Sequence, residues 1–133
     1  MSAAPSDSIQ EANNASVAAV LARIGDRRDL PADSVFRNLR LPHLRSIPAS
    51  RFLGIMSGGY ARALGVTCTH CHVPNNYASD DRRPKRAARE MALMHFGLNR
   101  QLAGMENLAT LPVEERYITC WTCHRGMVRP LSP

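Results

Sequence analysis

A chain of 133 residues has room for one domain, yet three Phe, three Tyr and one Trp give it little large apolar material for a core. Small domains of that kind lean on disulfides, metals or bound groups. The formal charge is +6, which alone would admit nucleic acid or an anionic membrane surface as partner, and no run of eighteen apolar residues provides a membrane span.

Residues 1–30 are rich in Ala, Ser and Asn and hold one weakly helical stretch, Val17–Ile24. They read as an N-terminal arm with a loosely held helix, ahead of a domain at 31–133. The opening MSAAPSDSIQEANNAS lacks the charged-then-apolar layout of a secretion signal. Pro31, Pro42 and Pro48 punctuate the next stretch, where VFRNLRLPHLRSI predicts a short helix and then an extended strap. Ser50 to Gly65 predicts a helix, with Ser50 as N-cap and Gly65 just past its end. Phe52, Leu53, Met56, Tyr60 and Leu64 recur in it at spacings of three and four. Gly54, Gly58 and Gly59 each cost such a helix about 1 kcal/mol, which predicts a bulky group close to that backbone. Residues 73–82 read as a polar loop. Pro84 then opens a helix that runs to about Gly104, with an inward stripe of Ala87, Ala88, Met91, Met94, Leu98 and Leu102. After Pro112 the chain closes on ITCWTCHRGMVRPLSP. No convincing strand pair occurs, so the fold class is mainly α.

All four cysteines fall in two copies of one pattern, TCTHCH at 67–72 and TCWTCH at 119–124. Two cysteines separated by two residues can reach both vinyl groups of a haem from one turn, and the histidine that follows supplies the proximal imidazole. Cys68, Cys71 and His72 make one such set; Cys120, Cys123 and His124 make the other. His70 lies between the first pair and points elsewhere. Four thiolates could instead form a structural zinc site, or two disulfides, but neither requires a histidine behind each second cysteine. A thioredoxin-like redox pair lacks the surrounding strand–helix alternation. Two covalently attached haem c groups also answer the sparse aromatics. Their four propionates bring the charge to roughly +2, so the case for nucleic acid falls away.

An electron carrier needs a sixth ligand on each iron. Met56, twelve residues before Cys68, is the candidate for haem 1. For haem 2 the residues alone leave Met91, Met94, Met105 and His95 open, although a lone His near an apolar stripe is more often a hydrogen-bonding group.

The sequence resembles the haem-binding unit of the cytochrome subunit of photosynthetic reaction centres and its smaller relatives. The likeness covers roughly residues 35–130 and rests on VFRNL at 35–39, IPASRFLGIM at 47–56, LGVTCTHCH at 64–72, DDRRPKRAAREMALM at 80–94 and TCWTCHRG at 119–126. It implies a small multihaem cytochrome c fold of two pseudo-symmetric helix–CxxCH haem units, half the size of the tetrahaem subunit. It also implies that the helix before each motif supplies the sixth ligand, usually Met. Carried over, Met56 matches haem 1 and the first Met of REMALM, Met91, matches haem 2. The iron ligands are then His72, His124, Met56 and Met91.

The function implied is electron transfer between donor and acceptor proteins, whether soluble or membrane-bound, without a photosynthetic partner being fixed. The alternative is a dihaem enzyme, a peroxidase or small-molecule reductase, with one open haem site. Haem attachment of this type occurs outside the cytoplasm. That places the protein in the periplasm or on the outer face of the cell, its leader removed by processing. The basic cluster Arg82, Arg83, Lys85, Arg86 and Arg89 is expected to be a solvated helix start or to meet propionates, with a docking patch as the alternative.

Overall fold

The computed structural model describes residues 6–130; the first five residues of the expected arm and the last three of the expected domain lie outside the described residues. Ser6 opens the first helix, α1 (Asp7–Ile24): its side chain accepts from the Ile9 N–H, and Asp7 suits the positive helix end. Gly25, at φ 59°, closes it. The helix begins ten residues before the Val17–Ile24 stretch, and it is packed rather than loosely held. Val20 and Ile24 are buried with Ala49 and Leu53, and Phe36 and Tyr77 pack around them.

A 3-10 turn (Gly25–Asp29) leads to the one-turn helix α2 (Ala32–Val35). The expected short helix thus ends where VFRNL begins, and Asn38, at φ 64°, turns the chain out of helical geometry. The strap folds back on itself. Ala32 N–H donates to Ile47 O at 2.8 Å and Ala49 N–H to Leu30 O at 2.9 Å, on either side of an isolated Pro31–Pro48 bridge.

Residues 49–64 form one continuous rod: α3 (Ala49–Gly54), a π-helical stretch (Ile55–Ala61) and α4 (Arg62–Leu64). The rod starts at Ala49 with Pro48 as its cap residue, so Ser50 is not the N-cap. Gly65, at φ 69° and ψ 37°, ends it in left-handed geometry as expected. The π winding falls on IMSGGYA, where two glycines lower the cost of departing from α geometry.

The longest helix, α5 (Arg83–Ala103), carries Pro84 in its first turn and stops at Gly104, as its sequence predicts. Its burial differs from the expected stripe. Ala92 is buried with Leu41 and Leu44, and Phe96 packs beside it, whereas Met91, Met94 and Leu98 are 42, 49 and 37% exposed. Small Ala92 is the residue that admits close packing, so the long side chains fall on another side of the helix. Two 3-10 turns (Glu106–Leu108 and Val113–Glu115) precede α6 (Cys120–His124). Among the described residues the fold is helical without a β-strand, and no large side chain is fully buried.

Candidate haem-attachment sites

Residues Cys68–His70 wind into a 3-10 turn, and His72 N–H closes back on Cys68 O at 3.1 Å. Both thiols and the imidazole therefore project from about one turn of backbone. Asn13 of α1 holds the start of this turn. Its Nδ2 donates to Val66 O at 3.0 Å, and its Oδ1 accepts Cys68 N–H at 3.1 Å and lies 3.5 Å from Cys68 Sγ. Asn13 is 3% exposed, so the amide serves the motif and not solvent.

The His72 ring is fixed twice by Tyr77. Its Nδ1 donates to Tyr77 O at 2.8 Å, and the two rings meet edge-on with centroids 5.2 Å apart. Only a protonated Nδ1 can donate to a carbonyl, which leaves the lone pair on Nε2. Burial pushes the His72 pKa below its ordinary value; the Tyr77 carbonyl opposes that, while Lys85 and Arg89 add to it. The neutral ring is the form that ligates metal.

The second motif is an α-helical turn. Thr119 caps α6 in a reciprocal box with Thr122, Thr119 N–H donating to Thr122 Oγ1 at 2.9 Å. His124 Nδ1 donates to Met127 O at 2.9 Å, so this ring too keeps its lone pair on Nε2. Asn99 of α5 grips Ile118 on both sides, donating to its carbonyl and accepting its N–H at 2.8 Å each. His95 Nε2 also donates to Ile118 O, at 2.6 Å. His95 is therefore engaged as a hydrogen-bonding group, as a lone His beside an apolar stripe usually is.

The second motif seats on the end of the 49–64 rod. Gly126 N–H donates to Ala63 O at 2.8 Å, and the Arg62 guanidinium lies 4.7 Å from the centre of the Trp121 ring. A Cβ on Gly65 would collide with the Gly126 carbonyl, so the glycine permits the contact as well as the turn. Tyr60, on the same rod, has its pKa pushed up to about 12, first by burial and then by the nearby Cys120. Burial also pushes the Cys71 and Cys120 thiols up.

Four of the five cations in the basic cluster bond to the chain itself. Lys85 Nζ donates to Tyr77 O at 2.8 Å and Ser79 O at 2.7 Å. Arg86 Nη1 donates to Asp80 O at 2.6 Å and Asp81 O at 3.0 Å, and Arg82 donates to Thr69 O. Arg89 pairs with the Asp80 carboxylate at 2.9 Å and donates to Asn38 O at 3.0 Å. These cations staple the 73–82 loop, and with it Tyr77, behind the first motif. Their hydrogen bonds to loop carbonyls offset the unfavourable placement of positive charge at a helix start.

Met56 is half-buried and packs against the cluster of Leu41, Leu44 and Ala92. Gly54 and Gly58 open instead onto a groove of about 370 Å³ shared with Asn14, Val17, Ala18 and Leu21 of α1. Nothing of the protein lies within 4 Å of a Cβ built on either glycine. Gly54 and Gly58 thus serve a different face of the rod from Met56.

The donor chemistry fits haem c. All four cysteines are free thiols, each motif offers two within one turn, and each imidazole presents Nε2. It fits zinc poorly, because among the described residues no three His, Cys, Asp or Glu groups converge to hold a metal ion.

Comparison with known proteins agrees. The family described as photosynthetic reaction centre cytochrome C subunit matches residues 2–132. The chain belongs to that family. Its match extends through α1, beyond the 35–130 stretch of the resemblance. The chain is similar to cytochrome c-554 of Chloroflexus aurantiacus, 40% identical over 65 residues, covering 48% of this chain and 14% of that protein. It is 39% identical over 59 residues to the photosynthetic reaction center cytochrome c subunit of Thermochromatium tepidum, covering 44% and 13%. The subunit of Rubrivivax gelatinosus is 36% identical over 93 residues, covering 62% and 25%. The chain therefore spans a quarter or less of the length of these relatives. No solved structure gives a significant match. Membership in a cytochrome c family implies covalently bound haem c.

Sequence reasoning did not single out Asn13, Tyr77 or Asn99. One signal was available for the two asparagines: VTC at 66–68 and ITC at 118–120 align, and each β-branched residue two places before the first cysteine is the one gripped by an asparagine.

Proposed function

We propose that the chain is a dihaem c-type cytochrome that passes electrons between redox partner proteins. Bound haem c supplies a reversible one-electron iron couple. Cys68 and Cys71 hold one haem by thioether bonds and Cys120 and Cys123 hold the other, giving two helix-and-motif units. His72 and His124 are the proximal ligands through Nε2. The observation that carries this reading is the matched treatment of the two rings: each Nδ1–H is spent on a backbone carbonyl a few residues downstream, at 2.8 and 2.9 Å. That arrangement fixes tautomer and ring orientation and raises ligand basicity.

Met56 and Met91 are the sixth ligands. For haem 2, Met91 lies about 40° around α5 from His95, the residue that holds Ile118 beside the second motif, whereas Met94 lies about 100° away. The exposed apolar surface of Met91, Met94, Met127 and Val128 is material for covering a porphyrin. Because haem attachment of this type is completed outside the cytoplasm, the protein works in the periplasm or on the outer face of the cell. No helix among the described residues is long and apolar enough to cross a membrane.

The test is an absorption spectrum of the matured protein with haem counted per chain. Two haems are expected, with a sulfur-to-iron band that weakens in Met56→Leu and again in Met91→Leu. One haem per chain, or a band unaffected by both substitutions, would contradict the assignment.

A further inference from the structure

The chain has sixteen arginines and a single lysine, Lys85. That lysine points inward: its side chain is 11% exposed, with Nζ 3.3 Å from the Asp80 carboxylate. It also donates to Tyr77 O at 2.8 Å, the oxygen that accepts the Nδ1–H of His72 at 2.8 Å. An ammonium and an imidazole thus share one carbonyl. At the second motif, Met127 O accepts His124 Nδ1–H, and no side chain among the described residues donates to it.

This difference has a defined electronic consequence. A proximal imidazole whose N–H is drawn strongly to an acceptor becomes more electron-rich and favours the ferric state. Lys85 competes for the Tyr77 oxygen and so weakens that pull on His72. Its charge, sheltered from solvent and shared with Arg89 against the single carboxylate of Asp80, acts in the same direction by favouring the less positive ferrous state. We infer that Lys85 is a positioning residue that raises the reduction potential of the haem at Cys68–His72 above that of the haem at Cys120–His124. The inference rests on the dihaem reading and adds to it a direction: at equilibrium the electron resides preferentially at the first motif.

The test uses the matured dihaem protein and its Lys85→Met and Lys85→Arg variants. NMR-followed redox titration, with haem methyl signals assigned to each motif, gives both potentials. Lys85→Met should lower the first potential enough to move the electron distribution about tenfold, equivalent to about 59 mV for a one-electron couple, and leave the second in place. Lys85→Arg should restore most of the shift, because it keeps the charge. An unmoved first potential, or an equal shift at both haems, overturns the inference while leaving two attached haems intact. A chain that carries no haem overturns the dihaem reading itself. The unsubstituted protein offers a check that does not depend on the variants folding. During its titration the haem at Cys68–His72 should take up the electron before the haem at Cys120–His124; the reverse order contradicts the inference.

Discussion

The first C-x-x-C-H turn is half-buried, gripped by a buried asparagine of α1 and backed by a loop that three arginines and the only lysine hold down. The second is a short capped helix near the end of the chain, laid against α4 through a glycine contact and a stacked Trp121, with Cys123 exposed. Identical ligand chemistry thus rests on two kinds of support. One is a polar, charged network; the other joins close backbone packing to the grip of Asn99 on Ile118. The difference teaches that a five-residue motif fixes the spacing of its thiols and imidazole, while its surroundings decide how firmly the motif is held.

The largest expected effect is on the packing side. Gly65→Ala forces a left-handed backbone on alanine, which costs about 1–2 kcal/mol, and drives Cβ into the Gly126 carbonyl. A loss of about 2 kcal/mol or more in a denaturant melt is expected; an unchanged midpoint would mean that the second motif does not depend on this contact.

The paired asparagines sharpen the contrast. Asn13→Ala strips Val66 O and Cys68 N–H of their partner in a buried place, a loss of about 1–3 kcal/mol. Asn99→Ala does the same to Ile118 in a more open setting, where about 1 kcal/mol is expected. Equal losses would erase the distinction between the two supports.

The smallest effect is the acid response of the first support. The Asp80 carboxyl is held at about 2 against an ordinary 3.8, mainly by its hydrogen bond from Arg89, with Asn38 and Lys85 adding to it. Its contribution is therefore full above about pH 3.8 and is lost as pH falls through about 2. Acid titration of stability over that window should show a downward limb that Asp80→Asn removes; a limb of the same depth in both proteins would exclude Asp80 as its source.

How much of this was legible in the sequence follows from what kind of force builds each part. α5 was readable from Pro84 to Gly104 because its signals are local: a fixed proline φ at one end and a glycine at the other. The cysteine and histidine pattern was readable because covalent reach dictates its spacing. Of α1 only the Val17–Ile24 stretch was readable, since its packing depends on Val20 and Ile24 meeting Ala49 and Leu53, a contact set by tertiary structure. The outward placement of Met91 was hidden for the same reason: only the packed rod decides that Ala92 turns inward. The cations of 82–89 read as a solvated helix start or as partners of propionates, and only the loop that returns beneath them shows where their hydrogen bonds go.

The central claim is that one haem is bonded at each motif, and peptide-resolved mass spectrometry of the chain matured by a c-type haem attachment apparatus tests it most directly. The account predicts a mass raised by two porphyrins, one on the peptide bearing Cys68 and Cys71 and one on the peptide bearing Cys120 and Cys123. A bare polypeptide mass, or the porphyrin missing from either peptide, would contradict it.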